Sequence, residues 1–414
     1  MRFDAVVLAA TESDAPRVFG LTLAERARRV ALKAGAGDVF VCDRGAAEAL
    51  SRWAATRSGD ALLVIRAWDQ VVHMPLVEPL VHGSRERRIA VDADGALAGA
   101  LWASGASARE LVEALVADPE RAEAALSQRW ADAERIAHGE VARHPAATAR
   151  DRRGAARMLL RTLAKSEDSG LARWIYRPIS RPLTLLLART PVTPNQISYV
   201  VALMGLLGCW LTAQPGQAPL LAGAALVLAA NFVDCCDGEL ARLRVQASRF
   251  GAWLDTITDE ATTTLYFVAI GLHAHRARPD LTWIPGTILV GVLAYVATIY
   301  VIYYFLVVVS KTGNSQHYVG DLELVDGVLR PRRRGPITHP RLRRLTALLA
   351  LVVRREFVNL GALALTFFDA YLVLYAVMLA GGVIAAAVVV PEHLKLRGML
   401  RELARRGAAP RLQH

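Results

Sequence analysis

The sequence predicts a soluble α/β domain followed by an α-helical integral membrane domain of six transmembrane helices. A hydrophobic content of 54% and a mean hydropathy of +0.29 are too high for an ordinary soluble protein of 414 residues. The apolar residues are concentrated after residue 190, whereas short apolar runs alternate with helical stretches before it. The N-terminal part of the chain is therefore expected to be soluble, and the C-terminal part is expected to be embedded in a membrane.

Residues 1–140 are predicted to form a cytosolic, Rossmann-like α/β domain. Alternating strand and helix patterns are typical of a layered fold with a mostly parallel sheet. Ser107 as N-cap and Glu110 three residues later predict a capping box at one helix start. The predicted strands are Phe3–Ala10, Asp38–Cys42, Ala61–Ala67 and Arg88–Val91, and the predicted helices are Thr22–Ala34, Arg44–Ala55 and Ala108–Ala117.

Residues 141–190 are predicted to connect this domain to the membrane. The stretch 118–165 is charged and rich in Ala, Glu and Arg, which favours a solvated helical connector. Gly170–Ala188 mixes aromatic, apolar and arginine residues, which predicts an interfacial helix broken at Pro178 and Pro182. The next helix is expected to begin with Thr193 as its N-cap.

Residues 191–392 are predicted to form the membrane domain and residues 393–414 a basic cytosolic tail. With six transmembrane spans, the basic stretches of the chain all lie on the same side of the membrane, as the positive-inside rule requires. The sequence thus predicts a multi-pass protein of the inner (cytoplasmic) membrane with both termini and the active site facing the cytoplasm. The six predicted spans are 197–213, 218–242, 249–272, 281–309, 347–368 and 371–390.

The net charge of +11 does not indicate a nucleic-acid partner. Of the 49 basic residues only four are lysine, which resembles a coding bias, and much of the excess charge flanks apolar segments. Anionic lipid headgroups and membrane topology account for basic residues in such places. The expected partner of this charge is therefore the lipid bilayer.

The segment from Asp234 to Asp259 carries most of the functional information. It reads DCCDGELARLRVQASRFGAWLDTITD and places four carboxylates in an apolar region. At about 100° per residue, Asp234 and Asp237 share one helix face, and Asp255 and Asp259 share a face of the next helix. Carboxylates that converge in a low dielectric repel one another unless cations lie between them, and oxygen ligands select Mg²⁺ or Mn²⁺.

Charged residues inside a membrane also occur in ion pathways, so an ion-coupled transporter is an alternative from another class. The small residues on the same faces, Gly238, Ala241 and Gly251, favour close approach of a ligand or of a partner backbone instead. A transporter has no obvious use for them.

Written as a pattern, the segment is DxxDGxxAR, eight residues, then GxxxDxxxD, and it resembles the signature of the CDP-alcohol phosphotransferase family. The resemblance implies a site for two divalent ions, Mg²⁺ or Mn²⁺, held by Asp234, Asp237 and Asp255 with help from Asp259. It also implies that Asp259 is the catalytic base. The residues that it assigns to the nucleotide are Gly238, Ala241, Arg242 and Gly251.

The same resemblance implies a CDP-linked donor, an alcohol or polyol-phosphate acceptor and release of CMP. Phospholipid synthesis from CDP-diacylglycerol is the expected role, and synthesis of a soluble polyol phosphodiester from a CDP-polyol such as CDP-inositol is the alternative. A homodimer is also expected. Candidate ligands for an acceptor or lipid phosphate are the basic residues at predicted cytosolic helix ends, Arg181, Arg189, Lys311 and Arg355.

The N-terminal domain is similar to the sugar-phosphate nucleotidyltransferases in its opening VVLAA and in AWDQVVHMPLVEPL. That family follows its first strand with a glycine-rich loop, whereas Thr11–Arg17 contains no glycine and includes Glu12 and Asp14. Asp69 stands where the family places a metal-binding aspartate. The departure at the loop favours a degenerate domain, because carboxylates there would repel a triphosphate.

Overall fold

The computed structural model describes residues 2–10, 16–43, 45–57, 59–139, 141–163, 170–311, 318–325, 327–332, 355–407 and 412. These residues form two compact units. The first, called the α/β unit here, comprises Met1–Asp168, Thr184–Val192 and Glu239–Gln246. The second, called the helical unit, comprises Ser169–Leu183, Thr193–Gly238 and Ala247–His414. Neither unit is one continuous stretch of chain.

A six-stranded mixed sheet forms the centre of the α/β unit. Its strands are β1 Phe3–Leu8, β4 Val39–Cys42, β5 Ala61–Arg66, β7 Arg87–Val91, β8 Leu97–Ser104 and β9 Glu134–Ala137. Their order in the sheet is β4-β1-β5-β8-β7-β9. β1 pairs in parallel with β4 and β5, β8 runs antiparallel to β5 and β7, and β9 pairs in parallel with β7.

Helices and short strand pairs complete the α/β unit. Small sheets pair β2 (Arg17–Val18) with β3 (Leu21–Thr22) and β6 (Gln70–Val72) with β10 (Arg143–Pro145). The helices are α1 Leu23–Lys33, α2 Ala47–Thr56, α3 Met74–His82, α4 Ala106–Ala117, α5 Ala122–Arg129 and α6 Ala149–Arg161.

Apolar residues of the strands explain why this sheet forms where the sequence predicts it. All six residues of β1 are buried, which is typical of a central strand covered on both faces. Side chains alternate between two hydrophobic clusters, with Val7 in one and Val6 in the other. The predicted α/β layer is confirmed, and the predicted strands and helices occur within about three residues of their expected bounds.

Two expectations for this unit are wrong. The N-cap of α4 is Gly105 at φ 59°, and Ser107 and Glu110 do not form a capping box. Their side chains instead accept hydrogen bonds from Arg87 Nε at 2.9 Å and from Trp130 Nε1 at 2.8 Å. The stretch 118–165 is also not wholly helical, since it contributes β9 and β10.

The helical unit is built from long helices. They are α7 Arg177–Leu187, α8 Pro194–Ala213, α9 Gln217–Leu243, α10 Arg249–Ala277, α11 Ile284–Phe305, α12 Arg355–Phe367 and α13 Tyr371–Arg405. A π-type segment Ala172–Tyr176 leads into α7, and a second one, Leu306–Ser310, follows α11. A hairpin pairs β11 (Leu322–Val325) with β12 (Val328–Pro331).

Within the described residues, four helical stretches are long and apolar enough to cross a membrane. They are Pro194–Ala213, Gln217–Leu243, Ile284–Ser310 and Tyr371–Arg405. They correspond to four of the six predicted spans. Of the remaining two, 249–272 coincides with α10, and 347–368 lies partly outside the described residues and partly in α12, the 13-residue helix Arg355–Phe367. The last span continues as one helix through Pro391 to Arg405, so the predicted basic tail begins as helix.

The predicted interfacial helix is not broken at its prolines. Residues 170–187 stay helical, and Arg177 N–H donates to Ala172 O, an i→i−5 bond of the kind found in π-turns. Pro182 lies inside α7. At the start of α8, the N-cap at Thr193 is confirmed. It forms a capping box with Gln196, whose N–H lies 3.4 Å from Thr193 Oγ1.

Glycines allow α8 and α9 to pack closely. A Cβ added at Gly223 of α9 would lie 2.5 Å from Thr212 N and 2.6 Å from Gly208 O, both backbone atoms of α8. A Cβ added at Gly205 would lie 2.9 Å from Thr262 Oγ1 of α10. These contacts fix the spacing of three helices, as small residues do in membrane bundles.

Candidate active site

Two helices position the acidic side chains of the signature. Asp234 and Asp237 lie one turn apart on α9, and Asp255 lies in the second turn of α10. Each of these three residues offers a carboxylate oxygen, and the three oxygens lie within 4.8 Å of one another. Asp237 is buried and the other two are half-buried. Oxygen-only donors at this separation fit a hard divalent cation, which would offset their mutual repulsion.

Asp259 lies one turn beyond Asp255 on α10 and is not a member of this three-carboxylate group. The structure therefore brings together three of the four predicted metal ligands. The assignment of Asp259 as an additional ligand and as the base stays a prediction.

A hydrogen bond to Asp237 comes from a residue that the sequence analysis missed. Ser198, in the second turn of α8, donates its hydroxyl to Asp237 Oδ2 at 2.6 Å, and both side chains are buried. The two residues are 39 positions apart, so no local pattern links them. The capping box at Thr193 is the nearest local signal, because it fixes where α8 begins. Ser198 can set the orientation in which Asp237 presents its other oxygen.

We expect Ser198→Ala to raise the divalent-ion concentration that gives half-maximal activity by about ten- to hundredfold. Removing a side chain that orients a metal ligand typically weakens metal affinity by this amount. Ser198→Thr keeps the hydroxyl and should retain most of the affinity. The measurement is an Mg²⁺ titration of activity in nanodiscs, with Thr298→Ala as control because Thr298 Oγ1 bonds to Ala294 O of its own helix. If Ser198→Ala has the same Mg²⁺ titration midpoint as the wild type, the hydrogen bond from Ser198 does not position Asp237 for metal binding.

The residues predicted to admit a nucleotide lie on the same two helices. Gly238, Ala241 and Arg242 follow Asp237 on the last turns of α9. Gly251 lies in the first turn of α10, where an added Cβ would be 3.2 Å from Asn195 Oδ1 and from Ser248 Oγ. Even an alanine at 251 would press on the first turn of α8, so this glycine supports close helix approach. Nucleotide contact by these residues stays a prediction.

The candidate phosphate ligands are dispersed in the chain. Arg181 is half-buried on α7, Arg189 is exposed just after α7, and Lys311 is exposed with a left-handed φ of 54° after the second π-type segment. The side chain of Arg355 lies outside the described residues. That any of these four residues binds an acceptor phosphate or a lipid phosphate stays a prediction.

In the α/β unit, Asp69 is held in an ion-pair network. Arg66 Nε lies 3.4 Å from Asp69 Oδ1, and Arg66 Nη1 lies 3.3 Å from Glu123 Oε2. Glu123 also accepts the N–H of Gly99 at 2.8 Å. The Arg66 guanidinium is thus a counter-charge to both carboxylates. Residues 11–15, where the nucleotidyltransferases have their glycine-rich loop, lie outside the described part of the chain.

Comparison with known proteins points to one family. The family model described as CDP-alcohol phosphatidyltransferase matches residues 191–393. The chain is similar to a "Bifunctional IPC transferase and DIPP synthase" from Rubrobacter xylanophilus, with 38% identity over 127 residues, which is 31% of this chain and 28% of that protein. It is also similar to an "Archaetidylinositol phosphate synthase" from Methanothermobacter thermautotrophicus, with 30% identity over 95 residues, which is 23% of this chain and 48% of that protein.

A protein from Aquifex aeolicus with the same name as the Rubrobacter relative is 26% identical over 152 residues, or 36% of this chain and 34% of that protein. The chain thus spans between about a quarter and a half of the length of these curated relatives. The likeness extends over part of each protein only.

Proposed function

We propose that this chain, whose residues 191–393 match the family model described as CDP-alcohol phosphatidyltransferase, is a member of that family. We further propose that it transfers a substituted phosphate from a CDP-linked donor to an acceptor hydroxyl with release of CMP. The observation that carries the proposal is the group of Asp234, Asp237 and Asp255 within 4.8 Å. Family membership favours this reaction over ion-coupled transport, which also places carboxylates in a membrane.

In this reaction the acceptor oxygen forms a new bond to phosphorus, the bond from phosphorus to the CMP oxygen breaks, and CMP leaves with that electron pair. Asp259 accepts the proton of the acceptor hydroxyl. Asp234, Asp237 and Asp255 would hold the divalent ions, with Ser198 orienting Asp237. Bound ions would supply positive charge that compensates the negative charge of the donor and of the leaving CMP.

We propose an inositol phosphate as the acceptor. The support comes from the names of two similar proteins, the "Archaetidylinositol phosphate synthase" from Methanothermobacter and the "Bifunctional IPC transferase and DIPP synthase" from Rubrobacter. Two donors then fit, CDP-diacylglycerol, which gives a phospholipid, and CDP-inositol, which gives a soluble phosphodiester. The relatives favour the second at least as well as the first.

Purified protein in nanodiscs tests both donors. Each is supplied with inositol phosphate and Mg²⁺ or Mn²⁺, CMP is measured, and the product is identified by mass spectrometry. We expect CMP release with one donor, its loss in excess EDTA and its return when divalent ion is restored. Full turnover in EDTA, or no CMP from either donor, would reject the proposal.

The membrane arrangement that we propose has six spans. α10 has 29 residues, a length of about 44 Å, which exceeds the hydrocarbon core of about 30 Å. Its acidic residues lower its hydropathy but belong to the site. The fifth proposed span, 347–368, lies partly outside the described residues and partly in α12. Six spans would place both termini and the site on the cytoplasmic face of the inner membrane, because the basic stretches would then lie on that face.

The α/β unit is not expected to use CTP. Asp69 is already ion-paired with Arg66, and the sequence 11–17 lacks the glycines with which the nucleotidyltransferases bind phosphates. Full-length protein with CTP, Mg²⁺ and inositol phosphate should therefore release no pyrophosphate in a coupled assay that detects added pyrophosphate. Pyrophosphate release that Asp69→Asn removes would instead show a bifunctional enzyme.

A further inference from the structure

The end of helix α9 is folded as part of the α/β unit. α9 carries Asp234 and Asp237, yet its residues from Glu239 onward, with the following turn to Gln246, belong to the same compact unit as the N-terminal sheet. The aspartates precede Leu243 by nine and six residues on one continuous helix. At about 1.5 Å per residue, these positions lie within about 14 Å of the helix end.

Two arginines of α1 bind the last carbonyl groups of this helix. Arg26 is 1% exposed, and its guanidinium donates to Val72 O at 3.2 Å and to Leu243 O. Arg29 Nη1 donates to Arg244 O at 3.1 Å. Burial, and secondarily the charge of Arg29, lowers the pKa of Arg26 to about 10, so the side chain stays protonated at neutral pH. Cations at a helix C-terminus also interact favourably with its dipole.

The second residue after the helix is held in an unfavourable backbone conformation. Val245 has φ 53°, a left-handed value that β-branched residues rarely adopt. Gln246 N–H donates to Ala241 O at 2.8 Å, which closes the helix in the manner of a Schellman motif where glycine is usual. The buried Val245 side chain packs in the hydrophobic cluster of Ala27 and Val30 of α1. Its packing thus stabilises a turn that its backbone alone would not favour.

Side chains of the helix end also bind residues 184–192. The buried Glu239 accepts the hydroxyl of Thr184 at 2.7 Å. Arg244 donates to Val192 O at 2.6 Å and to Ala188 O at 3.1 Å. The helix end is therefore fixed from two sides by charged groups that the proposed chemistry does not use.

We propose that the α/β unit is a positioning device for the metal-bearing helix α9, with Arg26 and Arg29 as its positioning residues. This rests on the proposed function, in which Asp234 and Asp237 hold divalent ions. A helix is stiff along its axis, so loss of the contacts made by Arg26 and Arg29 would shift the carboxylates of Asp234 and Asp237. A displacement of a reacting group by about 1 Å can lower a reaction rate about a hundredfold. The unit would then serve catalysis without binding a nucleotide.

The test compares Arg26→Met and Arg29→Met with Arg28→Met in the full-length protein. Arg28 lies on the same helix and pairs with Glu25 at 3.4 Å, which makes it a matched control. Mn²⁺ binding is followed by electron paramagnetic resonance without donor, alongside CMP release and thermal unfolding. We expect Arg26→Met and Arg29→Met to weaken Mn²⁺ binding about tenfold, with partial recovery in Arg26→Lys and no change in Arg28→Met.

Unchanged Mn²⁺ affinity in folded Arg26→Met and Arg29→Met would overturn the positioning role, even if their melting temperatures fall. If Arg26→Met does not fold, Arg29→Met decides, because Arg29 is partly exposed, with 21% of its side chain accessible. Mn²⁺ binding needs no substrate, so wild-type protein that binds Mn²⁺ but forms no CMP would reject the proposed function alone.

Discussion

Asp259→Asn is expected to lower CMP release by about 100- to 10,000-fold while the variant still binds the CDP-linked donor. The amide has the size of the carboxylate but cannot accept the proton of the acceptor hydroxyl, and general bases contribute rate factors of this order. Asp234→Asn should lose metal-dependent donor binding as well, because Asp234 belongs to the group of three carboxylates within 4.8 Å. Donor binding is measured by equilibrium dialysis with and without Mg²⁺, and turnover by CMP release.

Asp280→Asn serves as the control for both variants. Asp280 is exposed between α10 and α11 and pairs with Arg278 at 2.8 Å, so its replacement should leave turnover and binding unchanged. Equal loss of donor binding in Asp259→Asn and Asp234→Asn would contradict the assignment of Asp259 as base and would make it a fourth ligand.

Gly223→Ala is expected to destabilise the helical unit strongly. The new Cβ would meet backbone atoms of α8, Thr212 N at 2.5 Å and Gly208 O at 2.6 Å, so the helices must separate. Overpacking of this kind costs about 1–3 kcal/mol. The melting temperature in nanodiscs should fall, and Mg²⁺ affinity should fall with it, because Ser198 on α8 would move away from Asp237 on α9.

Gly381→Ala is the matched control. Gly381 is an exposed helical glycine of α13, and no heavy atom of the described residues lies within 4 Å of its added Cβ outside its own helix backbone and neighbours. Helix propensity alone should then stabilise the variant by up to about 1 kcal/mol. A Gly223→Ala protein as stable as Gly381→Ala would show that α8 and α9 do not pack as closely as described.

Local periodicity explains which elements could be predicted from the sequence. β1 and β5 are runs of Val, Leu and Ile, which favour buried strands. β8 was missed because LAGALWAS is rich in Ala and Gly, and only its pairing with β5 and β7 makes it a strand. The capping box at Ser107 failed for a similar reason, since tertiary partners, Arg87 and Trp130, bind the two side chains.

Part of the candidate site could likewise be predicted from the sequence, and part of it could not. Asp234 and Asp237 could be placed on one face from helical spacing alone. Their convergence with Asp255 was predicted because carboxylates in an apolar region are stabilised by cations that lie between them. Ser198 could not be found, because its bond to Asp237 depends on how α8 packs against α9. The contact of Arg26 with Leu243 could not be predicted from the sequence either, since the two residues are separated by 217 positions.

The discontinuous α/β unit sets an order for biosynthesis. Its sheet is encoded in the first part of the chain, but Thr184–Val192 and Glu239–Gln246 are synthesised later, the second of them after α8 and most of α9. Domains usually fold as they leave the ribosome. Here the buried Arg26 would find its partner carbonyl at Leu243 only once two apolar helices have been made and delivered to the membrane. A nascent chain stalled before residue 246 would therefore display an incomplete α/β unit, open to proteolysis, until elongation resumes.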